Sequence, residues 1–516
     1  MKKIGSINCL IVLALLFVSS NCLANVKLPA IFSDGMVLQQ QSSANIWGWA
    51  SPNEKVTITA SWSNSPVVTN ANSSGEWKAV ISTPKASMNS NTLTIACNNS
   101  LTLKDVLIGE VWLASGQSNM GFSLKSDADA KTEIANANYP HIRYFSVKRQ
   151  YGLQDFEDVP GSIWKNTTPE NAGSFSAVAF YFAKKIQQEI NVPVGIIFVA
   201  WGGTPAEAWT PREILTGDSI LSQYIDRWKF IQANTGKDSV AYQSAVSKWK
   251  KDSIGKKPEE PQTFYYFKRP WREPSVLFNG MIDPVIPFGI KGVLWYQGES
   301  NVGYADEYYH LFTKMITSWR SKWQQPNLPF YFVQLAPFGY ANLDGAAVVR
   351  EAQYLTSKNI PETGMAVTVD VGNMENMHPV HKSKVGERLA LIALAKSYGE
   401  EKINYKGPEY KKAEIEKGKV IIKFTSSLFA EGDKVQGFEI GYREAGTDSL
   451  LYVDAEAKIE DKKVVVWNDK VTNPVALRYG WLRIGDANLF NKEARPDGSV
   501  GRGLPASPFR IMLKEK

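Results

Sequence analysis

The spacing of apolar and polar positions divides the chain into a central α/β part between two β-rich ends. In the N-terminal part, Val56, Ile58 and Ala60 alternate with threonines, the period of a half-buried strand. Short strands separated by Gly, Asn and Ser predict a sandwich-like domain over residues 25–106. β patterning returns over residues 401–516, where candidate strands are Val420–Phe424, Val435–Tyr442 and Val464–Trp467.

Between residues 107 and 400 the pattern alternates apolar strands with amphipathic helices. The candidate strands are Val111–Ala114, Val194–Ala200, Gly292–Tyr296, Phe330–Leu335 and Met365–Val369. The candidate helices are Ser176–Ile190, Ala305–Trp323, Gly345–Thr356 and Pro379–Tyr398. Apolar strands of this kind predict an α/β fold in which helices cover both faces of a parallel sheet. Because sites in such sheets lie beyond the carboxyl ends of the strands, residues that follow these strands are the candidates for chemistry.

A polar, lysine-rich and aromatic insertion interrupts the central part at about residues 211–274. Part of it is predicted to be helical, around Ser239–Ser253, and a proline-rich stretch follows. Long insertions beside a site often form a lid or a wall of the substrate site. A solvent-exposed insertion without a role in the site is an equally favoured alternative.

The first 24 residues have the pattern of a signal peptide. Lys2 and Lys3 precede an apolar run, Leu10–Val18, that is too short to span a bilayer, and Cys22-Leu23-Ala24 offers a cleavage site. The expected location is periplasmic or secreted, and we expect no membrane span in the mature chain. A lipoprotein anchored through Cys22 is the less favoured alternative, because asparagine precedes that cysteine.

Charge and cysteine content exclude some classes of protein. Cleavage after Ala24 removes two lysines and lowers the formal net charge from +7 to +5, too weak an excess to indicate a nucleic-acid partner. Cys97 then remains as a single cysteine, so the mature chain forms no internal disulfide. The oligomeric state does not follow from the sequence.

The most specific chemical signal is Gly-Gln-Ser-Asn-Met at residues 116–120, directly after the strand Val111–Ala114. A serine on a tight turn after a strand is exposed for attack on a carbonyl, and the backbone N–H groups beside it can bind the oxyanion. Taken alone, the motif is more typical of a polar loop. Three later segments favour a catalytic serine over a polar loop: WGGT at 201–204, WYQGESN at 295–301 and ENMHP at 375–379.

In this order, the four segments resemble the SGNH hydrolases, and among them the sialate O-acetylesterase-like carbohydrate esterases. LFNGMIDP, HPVHKSKVGERLA and GLPASPFR extend the resemblance over nearly all of the chain after about residue 25. It implies an SGNH-type catalytic domain and a serine esterase that removes O-acetyl groups from carbohydrate through an acetyl-enzyme. O-acetylated sialic acid is the implied substrate, with acetylxylan or another polysaccharide as the alternative. A non-catalytic glycan-binding protein is the alternative of another class.

Histidine is scarce, which narrows the choice of a general base. His141 lies in a strand-like run, His310 on a helix, and His381 one turn into a predicted helix, whereas His378 precedes Pro379 near the expected helix start. A side chain at that position can reach over the sheet edge towards Ser118, and the resemblance supports His378 as the base. His-x-x-His without further ligands is a weak metal pattern, so we expect no metal and no cofactor.

The remaining site residues are implied by the resemblance. The acid that orients the histidine is expected three residues before it, at Glu375, with Asp370 as the fallback and a Ser–His dyad as a further possibility. The oxyanion hole is expected to combine the N–H of Ser118 with Gly202 or Gly203. A third donor is expected from Gln297, Asn301 or the backbone around Gly298, while Glu299 is expected to organise loops by hydrogen bonds.

Aromatic and polar residues around these segments suit a sugar ligand. Trp201, Trp209, Arg212 and Asn279 are expected to lie on the loops of the site. Trp112 and Trp295 lie inside predicted strands, so we expect both in the core.

Overall fold

One sheet of eleven strands joins the N-terminal and central parts of the chain. The computed structural model describes residues 25–252, 255–432, 434–495 and 499–513, so the predicted signal peptide lies outside the described residues. Among the residues described, no helix is both long and apolar enough to cross a bilayer.

The N-terminal strands lead into a single long strand, β7. Their bounds are β1 (Val37–Gln39), β2 (Ser43–Trp49), β3 (Lys55–Ala60), β4 (Val67–Asn70), β5 (Glu76–Ser82), β6 (Ser87–Ala96) and β7 (Ser100–Gly116). β2 and β5 form a separate pair, whereas β3 pairs with β4 and β6, and β6 pairs with the first half of β7. The second half of β7 belongs to the central sheet, so the predicted division at residue 107 falls inside this strand.

Strands and helices alternate through the central part, as the sequence predicts. Their bounds are α1 (Ala130–Ala135), β8 (Tyr139–Ser146), β9 (Trp164–Thr167), α2 (Pro169–Ala172), α3 (Ala177–Ile190), β10 (Val194–Ala200), α4 (Arg212–Thr216), α5 (Ser222–Asp252), α6 (Gln262–Phe267), β11 (Gly292–Tyr296), α7 (Ala305–Lys322), β12 (Phe330–Val333), α8 (Leu343–Asn359), β13 (Thr363–Ala366) and α9 (Lys382–Ser397). The strand order is β13-β12-β11-β7-β10-β8-β9, and neighbours run parallel except β9, which is antiparallel to β8. The mixed α/β architecture is therefore confirmed.

Two apolar cores flank the central sheet, because successive side chains of a strand point to opposite faces. Val111 and Leu113 of β7 contribute to one core, together with α7 and α8. Trp112 and Ala114 contribute to the other, together with α3 and α9. Burial on both faces explains why these strands are continuously apolar rather than alternating.

Two helices begin farthest from their predicted starts. α9 begins at Lys382, three residues after Pro379, so His378 lies in the preceding loop rather than at the helix start. α5 begins seventeen residues before the predicted Ser239 and makes the insertion largely helical. Gly236 lies inside α5, where a Cβ would meet nothing within 4 Å, so packing does not require glycine there. Glycine usually weakens a helix by about 1 kcal/mol relative to alanine.

The C-terminal part forms three antiparallel sheets around its own core. Its strands are β14 (Tyr410–Glu416), β15 (Lys419–Phe424), β16 (Leu428–Ala430), β17 (Phe438–Arg443), β18 (Leu450–Asp454), β19 (Glu456–Glu460), β20 (Lys463–Trp467), β21 (Ala476–Tyr479), β22 (Leu489–Ala494), β23 (Val500–Pro505) and β24 (Phe509–Met512). The predicted strand at Val435 begins three residues later, at Phe438. Trp481 joins this part to α8, since its Nε1 donates to Asp344 at 2.8 Å.

Candidate active site

Ser118 lies on a turn held between the ends of two neighbouring strands. Gly116 has φ +138°, and a Cβ there would lie 2.2 Å from the Tyr296 carbonyl oxygen at the end of β11. The next residue, Gln117, donates its N–H to that same oxygen at 3.0 Å, and the Trp201 N–H donates to the Gly116 carbonyl at 3.1 Å. The sheet therefore fixes the turn from both sides, with Ser118 half-buried at its tip.

His378 reaches Ser118 from the loop between β13 and α9. Its Nε2 and the Ser118 Oγ share a hydrogen bond of 2.9 Å. The His378 backbone N–H donates to Asn376 Oδ1 at 2.9 Å, which shapes the loop just before the ring. Burial lowers the pKa of His378, and the positive charge of Lys382 lowers it further. A neutral imidazole in contact with a serine hydroxyl is the arrangement of a general base and its nucleophile.

The two candidate acids lie in different surroundings. Glu375 is exposed, and within the described ranges its carboxylate makes no hydrogen bond or ion pair, with His378 or with any other residue. Asp370 is bound on both oxygens by Arg388, at 2.7 and 2.8 Å. Burial alone would raise the pKa of Asp370, but the Arg388 guanidinium brings it below its usual value. Asp370 therefore has a structural ion pair, and Glu375 remains on the same loop as His378.

Gly202, the second residue after β10, lies against Ser118. A Cβ on Gly202 would lie 3.3 Å from the Ser118 Cβ, whereas Gly203 has φ +71° and its carbonyl accepts from Arg272. No hydrogen bond within the described part of the chain occupies the backbone N–H of Ser118 or of Gly202. These two donors are free to bind an oxyanion.

The side-chain amides after β11 bind one another. Gln297 Nε2 donates to the Thr204 carbonyl at 3.2 Å and to Asn301 Oδ1 at 2.6 Å, which uses both of its N–H groups. Asn301 Nδ2 donates to Glu207 at 2.8 Å. Gly298 lies beneath α8, where a Cβ would meet Val349 at 3.2 Å. The structure thus connects Gln297 and Asn301 to the loop after β10, and it places Gly298 against α8.

Two residues that the sequence analysis did not select contact the loops that carry Ser118 and His378. Asn119, next to Ser118, donates to the Met377 carbonyl at 3.0 Å and to Glu299 at 2.5 Å. Lys382 is fully buried and donates to Asn119 Oδ1 at 2.6 Å. Both belong to segments that carry the family resemblance, but a local motif does not show which buried side chains meet. The contact between Glu299 and Asn119 agrees with the expected loop-organising role of Glu299.

The other histidines and the aromatic residues differ in their surroundings. His310 binds Asp218 at 2.7 Å and His381 is exposed just before α9. Trp112 and Trp295 are fully buried, as expected for core residues. The expectation for Trp209 and Asn279 was wrong, because both are buried and their side-chain nitrogens donate to Thr204 and to the carbonyls of Gly152 and Leu153.

A partly exposed wall stands beside the Ser118 turn. Trp201 directly precedes Gly202 and stacks on Trp271 of the insertion, with centroids 5.3 Å apart and planes 13° apart. Tyr151, which is 41% exposed, packs edge-on against both rings. The exposed Arg149 guanidinium lies 5.4 Å from the Trp201 centroid. Across the described ranges, no group of three or more His, Cys, Asp or Glu side chains is arranged to hold a metal ion.

Several known proteins are similar to this chain over most of its length. A human protein named sialate O-acetylesterase is 29% identical over 95% of this chain and 93% of its own length. The mouse protein of that name is 28% identical over 92% and 93%. The crystal structure of a carbohydrate acetylesterase from Xanthomonas citri is 34% identical, covers 94% of this chain and 99% of its own, and superposes with a TM-score of 0.78.

The fold, the Ser118–His378 contact and these relatives together define a carboxylic ester hydrolase that acts as a carbohydrate acetylesterase. The family model described as carbohydrate esterase, sialic acid-specific acetylesterase, matches residues 108–248 and 267–395. The chain belongs to this family.

The surroundings of His378 predict the pH dependence of ester hydrolysis. A base must be neutral to accept a proton, so activity falls as the pH drops through its pKa. Since burial and Lys382 lower the pKa of His378, the acid limb of kcat/KM should lie below the ordinary imidazole value of 6.5. A pH profile on a soluble acetyl ester, with folding followed over the same range, measures this. An acid limb above 6.5 would contradict the environment described for the ring.

The contrast between Asp370 and Glu375 predicts two different phenotypes. Asp370→Asn leaves Arg388 without its countercharge, and breaking a buried ion pair costs roughly 3–5 kcal/mol of folding free energy. Its effect should appear in the melting temperature, with kcat of the folded protein retained. Glu375→Gln should leave the melting temperature unchanged and lower kcat less than loss of Ser118 or His378. A stable but inactive Asp370→Asn variant would instead assign the acid to Asp370.

Proposed function

We propose that this chain is an exported serine esterase of SGNH type that hydrolyses O-acetyl groups on carbohydrate through an acetyl-enzyme. The observation that carries the proposal is the 2.9 Å hydrogen bond between Ser118 Oγ and His378 Nε2 at the carboxyl edge of the central sheet. Ser118 is the nucleophile and His378 the general base.

The reaction proceeds in two halves. Ser118 Oγ attacks the acetyl carbonyl carbon while His378 Nε2 takes the hydroxyl proton. The tetrahedral oxyanion is bound by the N–H groups of Ser118 and Gly202, which have no other partner in the described structure. His378 then protonates the departing sugar oxygen. In the second half, His378 deprotonates a water molecule, and the resulting hydroxide attacks the acetyl carbonyl carbon. The bond between that carbon and Ser118 Oγ then breaks, His378 returns the proton to Ser118 Oγ, and acetate is released.

The orientation of His378 has two possible sources in this proposal. Glu375 precedes it by three residues and would have to turn inward from its exposed position to contact the ring. The alternative is a Ser118–His378 pair that works as a dyad. The triad acid usually holds the imidazole and stabilises its charged form, so its absence lowers turnover without removing the nucleophile.

O-acetylated sialic acid is the proposed substrate. The human and mouse relatives carry the name sialate O-acetylesterase, and the wall of Trp201, Trp271 and Tyr151 offers aromatic surface for a sugar ring. The exposed Arg149 on this wall favours an acidic sugar over a neutral one, since a guanidinium binds a carboxylate. Acetylxylan or another polysaccharide remains the second candidate, because the structural relative from Xanthomonas citri is described only as a carbohydrate acetylesterase.

The proposal includes export and a division into domains. Residues 1–24 would be removed as a signal peptide, placing the enzyme in the periplasm or outside the cell, where glycans are met. Residues 25–106, 107–400 and 401–516 would form the N-terminal, catalytic and C-terminal domains, with the first boundary bridged by β7.

Removing the nucleophile or the base tests the proposed mechanism. Ser118→Ala and His378→Ala should each lower kcat on a chromogenic acetyl ester by roughly 1,000-fold or more, and the double variant should be barely worse. His381→Ala is the matched control, because that exposed side chain lies outside the pair and should retain full activity. A folded Ser118→Ala variant that keeps more than a few per cent of kcat would contradict the proposal.

The substrate class is tested with esters that differ only in the acyl chain or only in the alcohol that carries it. Acetyl esters should be cleaved much faster than octanoyl esters of the same leaving group, since the proposed site is a loop surface suited to a sugar. Acetate should be released from O-acetylated sialic acid, and Arg149→Ala should raise KM for that substrate more than for a neutral acetyl ester. A preference for long acyl chains would contradict the class, whereas activity on acetylxylan alone would change only the sugar.

A further inference from the structure

A buried lysine side chain reaches the turn that carries Ser118. Lys382 is the first residue of α9, four residues after His378, and its side chain has no exposed surface. Its Nζ donates to Asn119 Oδ1 at 2.6 Å, and its backbone N–H donates to Asp127 Oδ2 at 2.9 Å. Lysine is almost never fully buried unless it is paired. The pairing here lies directly beside Ser118, because Asn119 is the next residue.

The ammonium group fixes the orientation of the Asn119 amide. A protonated lysine can only donate and a carbonyl can only accept, so the Asn119 oxygen faces the Lys382 ammonium and its nitrogen faces the Met377 carbonyl. The same nitrogen donates to Glu299 Oε1 at 2.5 Å. A flipped amide would bring its N–H groups against the ammonium and its oxygen against two acceptors. Lys382 therefore determines where Asn119 points its donors.

The Asn119 donor reaches the backbone that carries the general base. The Met377 carbonyl belongs to the peptide group that joins Met377 to His378, and Asn119 binds it at 3.0 Å. The other hydrogen bond of the His378 backbone goes to Asn376, within the same loop. Glu375 is exposed and does not contact the imidazole ring. The Asn119 amide therefore links the Ser118 turn directly to the His378 loop. A triad acid in contact with the ring would otherwise help to hold that loop.

We propose that Lys382 is a positioning residue that acts through Asn119 to hold His378 against Ser118. The inference rests on the roles proposed above for Ser118 and His378. Lys382 does not touch the reacting atoms. It secures a hydrogen bond that fixes the His378 backbone, and misplacing a catalytic group by about 1 Å can cost 100-fold in rate.

The charge of Lys382 gives its positioning role a measurable effect on the pKa of His378, which a residue with only a structural role would not have. Burial lowers the pKa of Lys382 to about 7, against the opposing effects of Glu299 and Asp127, while Lys382 in turn lowers the pKa of His378. Burial raises the pKa of Glu299, and its second carboxylate oxygen has no hydrogen-bond partner in the described part of the chain. Removing the lysine charge should therefore raise the pKa of His378.

The test compares Lys382→Met with the double variant Lys382→Met/Glu299→Gln. The double variant removes both buried ionisable groups, so it should recover the melting temperature that the single variant loses. Both should show kcat lowered roughly 10- to 100-fold on a chromogenic acetyl ester, with KM little changed. In both, the acid limb of kcat/KM should move to higher pH. Glu387→Gln is the control, because that exposed side chain lies on the same helix, and it should match the parent enzyme.

The outcomes separate this inference from the proposed function. If the double variant has the parent kcat and an unmoved acid limb, Lys382 only balances Glu299 and the inference is overturned. If Lys382→Met alone does not fold, the double variant decides the question by the same criteria. Ser118→Ala is measured in parallel, and its activity bears on the nucleophile alone. An inactive Ser118→Ala beside a fully active double variant would reject the role of Lys382 and leave the esterase mechanism standing.

Discussion

The contact between Gly116 and the Tyr296 carbonyl is the constraint on which the site depends. The carbonyl oxygen lies 2.2 Å from the position of a Cβ on Gly116, so only glycine lets β7 turn sharply against the end of β11. The same oxygen accepts the Gln117 N–H, which starts the turn towards Ser118. On the other side of β7, Gly202 lies close to Ser118 for the same reason, the absence of a side chain. The parallel sheet thereby sets the position of Ser118 and of the N–H groups beside it.

Buried polar side chains hold the loops around this turn. Gln297, Asn301 and Glu207 connect the loops after β10 and β11, and Lys382 and Asn119 connect the turn to the histidine loop. An unpaired buried polar group costs about 1–3 kcal/mol, so a network in which these groups satisfy one another favours a single arrangement. These bonds tie together the loops that surround Ser118 and His378. The partly exposed wall of tryptophan and tyrosine is the part of the site open to a substrate.

Much of the fold follows from the sequence because the strands are buried on both faces. Val194–Ala200 and Gly292–Tyr296 match their predicted bounds, since a continuous apolar run between turn residues has few alternatives. The start of α9 was predicted too early, because proline favours a first helical turn but does not require one. Ser118 and His378 come together as the motifs suggest, whereas Lys382 and Asn119 were missed. Their meeting joins residues 263 positions apart, which no local pattern encodes. Trp209 and Asn279 were misjudged because composition does not show which side of a loop is buried.

The central claim is that Ser118 carries the acetyl group during turnover. The most direct measurement is mass spectrometry of the enzyme quenched during reaction with a rapidly acylating acetyl ester, followed by peptide mapping. We predict an acetyl group on the peptide that contains Ser118, formed in the parent enzyme and absent from Ser118→Ala. An acetyl group on another residue, or rapid turnover by Ser118→Ala, would contradict the account.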